Sequence, residues 1–316
     1  MSNGTAHSES ASRNTVVDEQ SKGTMDVFKV LPRSLLENPV PESILIEMNR
    51  SLGAPPVFIV HPIEGHVKAL FEMAEHLSVP AIGVQRARGI PVQCVEDLAA
   101  TYLKAIRKRN FRGPFHLVGY SFGAAVAFEM AVQLQASGAS LGSLTFLDGS
   151  PRYVTTVMTP TCGALKENDD DEDSTLLCMY VMQFLDENFA KVRDRIKQHQ
   201  DLEAKKEAAV DMILECSPGP QAPRENVAAA VSTFLELRKA GVKYRPKTKF
   251  HGNITLIKAS MPLISGRHLP PDYGSSECCD GKVCIKVVDG SHESFLQESS
   301  AHECASIISH LVQHGN

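Results

Sequence analysis

Residues 115–136 read FHLVGYSFGAAVAFEMAVQLQA. The opening FHLV is a short apolar run suited to a buried strand. The closing AAVAFEMAVQLQA is rich in Ala, Met, Leu and Gln, which favour a helix. Between them stands Gly119-Tyr120-Ser121-Phe122-Gly123. By average composition a G-x-S-x-G pattern arises by chance in about one chain in ten of this length, so its flanks decide its meaning. A strand, a tight turn and a helix are the setting in which this pattern presents a serine hydroxyl at the end of a sheet. The serine there is strained, and bulky neighbours would collide with the adjoining strand and helix. The helix start also turns N–H groups and a positive dipole end toward a developing oxyanion. Ser121 is therefore the candidate nucleophile.

Working outward, Val57–Val60 is a continuous apolar run, as expected for a strand buried on both faces. It leads into the loop His61-Pro62-Ile63-Glu64-Gly65. Helical spacing follows at 67–77, a strand at Ala81–Val84 and a helix at Val95–Lys108. Beyond the serine a strand at Leu144–Leu147 ends at Asp148-Gly149-Ser150. Alternating strands and helices predict a mostly parallel sheet with helices on both faces. Together with the serine turn, this is the α/β-hydrolase fold class.

The alternation then stops. Residues 174–240 carry only helical patterns, LLCMYVMQFL, KKEAAVDMILE and NVAAAVSTFLELRKA, after an acidic run that ends at Asp173. Strand character returns at Asn253–Lys258 and Val283–Val288, with a last helix near 301–312. The expected organisation is a polar tail or linker at 1–27, an α/β core at about 53–154 and 246–316, and a helical insertion at about 155–245. Residues from Phe28 to Leu52 read as a lead-in on the outside of the core.

Composition narrows the function. The chain has 316 residues, a net charge of −5, 6% aromatics and no Trp. A broad nucleic-acid footprint and a base-stacking platform are not expected. None of the eight cysteines forms a C-x-x-C pair, so zinc ribbons and redox motifs find no support. No secretory signal and no run long enough to span a membrane is present, which points to a cytoplasmic chain with reduced thiols.

A serine nucleophile needs a base. His292 follows the last predicted strand, where this fold places its histidine. His302, His310 and His314 lie on or after the terminal helix, and His251 precedes a strand. For the acid, Asp148 at the end of the strand after the nucleophile helix can reach the imidazole loop, with Asp289 as rival. Its task is to hold the imidazole tautomer and stabilise the imidazolium. Two backbone donors are expected for the oxyanion, the N–H of Phe122 and that of Ile63 in the HPIEG loop. Phe184 and Phe234 in the insertion are candidates for an apolar acyl wall. No metal or cofactor is expected.

The stretches RSLLENP at 33–39, VFIVHPIEG at 57–65, GPFHLVGYSFGAAVAFEM at 113–130, FLDGSPRYV at 146–154, KFHGNITLIKA at 249–259 and CDGKVCIKVVDGSH at 279–292 carry a resemblance. The chain resembles the C-terminal thioesterase domain of animal type I fatty acid synthase. The resemblance implies hydrolysis of long-chain fatty acyl thioesters held on the phosphopantetheine arm of an acyl carrier protein, with release of a palmitate-like acid. It implies Ser121, Asp148 and His292 as triad and the insertion as wall of an acyl groove. The polar N-terminal segment resembles the linker that joins carrier to thioesterase. One departure stands out: vertebrate relatives are expected to carry a basic residue after the histidine, able to partner Glu64, and here that residue is Glu293. A thioesterase of polyketide or non-ribosomal peptide synthesis would use the same triad and is the alternative reading. A binding module on a hydrolase scaffold is a third.

Overall fold

The computed structural model describes residues 41–53, 55–165, 171–185, 187–215, 223–261 and 269–315. Among the described residues seven strands form one sheet: β1 (Leu45–Glu47), β2 (Val57–Val60), β3 (Ala81–Val84), β4 (Phe115–Tyr120), β5 (Leu141–Leu147), β6 (Ile254–Ala259) and β7 (Val283–Val288). Their spatial order is β1-β3-β2-β4-β5-β6-β7, with β1 antiparallel to β3 and all other pairs parallel. The expected α/β-hydrolase architecture is thus present.

The strands sort their side chains by the two-residue period of extended chain. In β2, Phe58 and Val60 enter one core while Val57 and Ile59 enter the other. In β4, Phe115 and Leu117 face the first core, Val118 and Tyr120 the second. The first core takes helices α2 (Val95–Lys108) and α3 (Gly123–Ala136), and the second takes α1 (Phe71–Glu75) and α9 (Glu298–His314). Every residue of α3 from Gly123 to Ala131 is buried. Its Ala-rich sequence lets sheet, α2 and insertion approach it on all sides.

The insertion contains α4 (Thr159–Leu165), α5 (Glu172–Val181), α6 (Phe189–Lys197), α7 (Leu202–Glu215) and α8 (Arg224–Lys243), entered through a π-helical turn at Val154–Met158. The longest of these, α8, lies over the strand ends. A Cβ placed on Gly65 would meet Thr233 and Leu237, and one on Gly241 would meet Val154 and Phe122. Arg86, just beyond β3, bonds Thr233 and pairs with Glu236 at 2.7 Å.

Three readings shift. The lead-in supplies β1 to the sheet, so the core begins before residue 53; three partly exposed residues on an edge are too few to show a period. The helical pattern at 67–77 splits into a 3₁₀ turn, Lys68–Leu70, and the short α1. The expected helical insertion holds two helices, α4 and α6, beyond the three patterns named for it. The tail at 1–27 lies outside the described residues. Among the described residues no helix is long and apolar enough to cross a membrane.

Candidate active site

Parallel strands bring their C-terminal ends to one edge of the sheet, and each candidate residue sits there. Ser121 follows β4, Asp148 follows β5, His292 lies four residues past β7, and the His61–Gly65 loop follows β2. Such an edge is where open α/β sheets bind ligands.

The turn at Ser121 has the strain its neighbours predict. Ser121 has φ 55°, a left-handed conformation costly for any residue with a Cβ, and its N–H donates to the Leu147 carbonyl at 2.9 Å. A Cβ on Gly119 would overlap the backbone of Gly123, and one on Gly123 would overlap the carbonyls of Val60 and His61. Glycine at both positions therefore lets β4, α3 and the end of β2 close on one another. Ser121 is only 4% exposed.

Asp148 also has positive φ, 40°, and its N–H donates to Ile257 at 2.7 Å. Its carboxylate is fully engaged. Oδ2 lies 2.6 Å from His292 Nδ1, while Oδ1 accepts from the Tyr273 hydroxyl at 2.8 Å and from the Ala259 N–H at 3.3 Å. Asp289, the rival acid, is turned away: it is exposed and accepts from Ser260 Oγ at 2.8 Å. His251 is exposed and bonds Asp280. Asp148 and His292 are thus the acid and imidazole that the fold brings together.

The imidazole is held from several sides. Tyr120 donates its hydroxyl to the His292 carbonyl at 2.7 Å, and Tyr153 stacks on the ring at 5.6 Å with an 11° interplanar angle. Burial by itself would lower the basicity of His292. The Asp148 hydrogen bond and charge, with Glu293 and Glu64, outweigh it and hold the pKa above the ordinary 6.5. Burial also raises the Glu64 carboxyl to about 7, with Glu293 adding to the rise and its own backbone hydrogen bond and His292 opposing it. Glu293 is raised too, chiefly by burial, and its Oε2 accepts from Ser291 Oγ at 3.1 Å. The departure noted at Glu293 therefore places a second acidic group beside Glu64.

Ile63 and Phe122 are both buried, at 5% and 0% exposure. Among the described residues neither backbone N–H donates to a protein acceptor. Phe184 and Phe234 come together on one ring: Tyr180 lies 5.3 Å from Phe184 and 4.7 Å from Phe234.

The sequence reading missed Tyr153, Tyr273 and Tyr120 as supports of the imidazole and its acid. Tyr153 ends the FLDGSPRY stretch and Tyr120 sits within the serine turn, so both lay beside a visible signal. Tyr273, in PPDYG, had none.

A protein-family model described as Thioesterase domain matches residues 55–312. A dimodular nonribosomal peptide synthase of Bacillus subtilis (strain 168) is 26% identical over 226 residues, covering 69% of this chain and 9% of that protein. Polyketide synthase PksR of the same organism is 30% identical over 176 residues, covering 54% of this chain and 6% of that protein. The chain thus spans less than a tenth of the length of these relatives. Among solved structures, a four-domain nonribosomal peptide synthetase superposes with TM-score 0.69 at 20% identity over 85% of this chain and 20% of that one. A Vlm2 thioesterase domain superposes with TM-score 0.51 at 19% identity over 87% of this chain and 98% of that one. At these identities the structures speak to the fold alone. The peptide and polyketide relatives fit the alternative reading better than the fatty acid one. By the family match across most of its length, the chain belongs to the thioesterase-domain family.

Proposed function

We propose that the chain releases an acyl group from the phosphopantetheine thioester of a carrier protein, with Ser121 as nucleophile. The observation that carries this reading is the 2.6 Å pair of Asp148 and His292 Nδ1 at the strand edge that also bears the strained Ser121. With Nδ1–H donated to Asp148, Nε2 is the free base. It takes the Ser121 proton as Oγ adds to the thioester carbonyl. The N–H groups of Ile63 and Phe122 receive the oxyanion. Collapse breaks the carbon–sulfur bond and expels the pantetheine thiolate, which takes the proton from His292 and leaves as the thiol. Water then attacks the acyl-serine by the same route and frees the acid.

The peptide and polyketide synthase relatives favour a peptidyl or polyketidyl chain as the group released. One observation favours a fatty acyl chain instead: the insertion over the serine is aliphatic and aromatic, with Val154, Val157, Tyr180, Phe234 and Leu237 all buried in the core it shares with Phe122. An apolar wall of that kind suits a long methylene chain, each buried methylene contributing about 0.8 kcal/mol.

A fluorophosphonate probe followed by mass mapping tests the nucleophile, with labelling expected on Ser121. Labelling elsewhere overturns Ser121 as the nucleophile, and no labelling overturns the enzyme reading in favour of a binding module. A panel of palmitoyl, peptidyl and polyketidyl pantetheine thioesters, scored for free acid against cyclic product, then separates the acyl classes.

A further inference from the structure

His61 ends the run from β2 and is fully buried. Its Nδ1 lies 2.6 Å from the Pro62 carbonyl oxygen and its Nε2 lies 2.6 Å from the Tyr102 hydroxyl. A carbonyl oxygen can only accept, so Nδ1 carries the hydrogen, and Tyr102 donates to Nε2. Burial holds this imidazole near a pKa of about 4, with the Pro62 bond opposing and Arg86 adding to the depression, so the ring is neutral at ordinary pH. The Pro62 carbonyl receives a second bond from the Gly65 N–H at 3.1 Å.

The consequence lies on the other side of the same peptide. Pro62–Ile63 is trans, and in a trans peptide the C=O and N–H point to opposite sides. Fixing the Pro62 carbonyl therefore fixes the direction of the Ile63 N–H. The His61 ring also stacks on Phe122, at 6.2 Å and 24°, and the His61 carbonyl abuts Gly123. One side chain thus touches the peptide that bears the first candidate oxyanion donor and the residue that bears the second.

We propose that His61, braced by Tyr102, is a positioning residue that aims the Ile63 N–H at the oxyanion. It does not touch the reacting atoms. The inference rests on the reading of Ser121 as nucleophile. Loss of a complete oxyanion donor costs about 10²–10³ in kcat. Gly65 still holds the Pro62 carbonyl when His61 is gone, so a smaller loss is expected, about 10- to 100-fold.

The test compares His61→Leu, His61→Asn and the double variant His61→Leu/Tyr102→Phe with the unaltered protein on one acyl pantetheine thioester. An alkyl boronic acid, which forms a tetrahedral adduct with serine, serves as transition-state probe. Asn places an amide N–H near the position of Nδ1, so it can still donate to Pro62. His61→Leu is expected to lower kcat about 10- to 100-fold with KM within about twofold, and to weaken the boronate by the factor lost in kcat. His61→Asn is expected to recover most of that loss. The double variant leaves no buried hydroxyl unpaired, so it keeps the test decisive if His61→Leu fails to fold. A folded Leu variant or double variant with kcat within about twofold of the parent overturns the inference, as does an Asn variant no better than Leu. An unaltered protein that neither turns over thioesters nor labels at Ser121 overturns the functional reading instead.

Discussion

At the strand ends, Ser121, Asp148 and His292 are placed by backbone: neighbouring parallel strands in fixed register, positive φ at the first two residues, and N–H bonds from Ser121 to Leu147 and from Asp148 to Ile257. In the insertion, Phe184 and Phe234 are placed by side chains, packed on Tyr180, with α8 strapped to the site through Arg86, Thr233 and Glu236. The first arrangement fixes atoms, because one register step in a sheet moves every side chain to the other face. The second tolerates change, because apolar cores accept volume-conserving swaps at small cost. On the proposed reading, chemistry rests on the first and acyl selectivity on the second, and the two can vary independently. A single scaffold could then release fatty, peptidyl or polyketidyl chains by altering only the insertion.

The largest test of this division is at the serine. Ser121→Ala is expected to lower kcat by about a millionfold, and His292→Ala by a similar factor. The measurement is turnover of an acyl thioester with the fold checked by circular dichroism. Retention of more than about 1% of activity would move the nucleophile elsewhere.

Asp148→Asn comes next, with an expected loss of about 10⁴ in kcat through the wrong imidazole tautomer. The pH profile sharpens it. His292 must be neutral to act as base, and its pKa lies above the ordinary 6.5, so kcat/KM should rise along a limb above pH 6.5. Removing the Asp148 charge and acceptor moves that limb to lower pH. An unchanged limb would strip Asp148 of its role.

A change in the insertion should leave the chemistry standing. Phe234→Ala opens a cavity at a residue 2% exposed, and such truncations cost about 3–5 kcal/mol. Limited proteolysis should find the insertion loosened, and turnover of long acyl chains should fall more than that of acetyl thioester. Loss of equal size at every acyl length would erase the distinction between the two regions.

The smallest effect is on stability against pH. Glu64 has its carboxyl raised from 4.5 to about 7, so the native state holds a proton there that the unfolded chain has lost. Its contribution is present below pH 4.5 and fades as pH rises to about 7. His61 and His66, lowered to about 4 and about 3, contribute oppositely: theirs is present above 6.5 and fades as pH falls. The two histidines add the same slope to parent and variant, so between pH 4.5 and about 7 the Tm of Glu64→Gln should rise relative to that of the parent, because the parent alone loses the Glu64 contribution. Tm curves that run parallel over that range would assign the pH dependence to other groups.

The sequence by itself determined the six parallel strands of the sheet, the serine turn and the histidine loop. Strand and helix periods, and glycines forced by close approach at 119 and 123, are local properties that a one-dimensional pattern carries. It also placed Asp148 ahead of Asp289, since consecutive strands of such a sheet are usually neighbours and the end of one can reach the histidine loop. Tertiary structure alone decided which groups surround the imidazole. Tyr273 reaches Asp148 across 125 positions of chain, and Tyr120 reaches His292 across 172. Neither contact leaves a periodic trace, because a hydrogen bond between distant segments constrains two single residues and nothing between them. Glu293 shows the same limit from the other side. Its identity is plain in the sequence, but its raised pKa comes from burial, which only the packed chain creates.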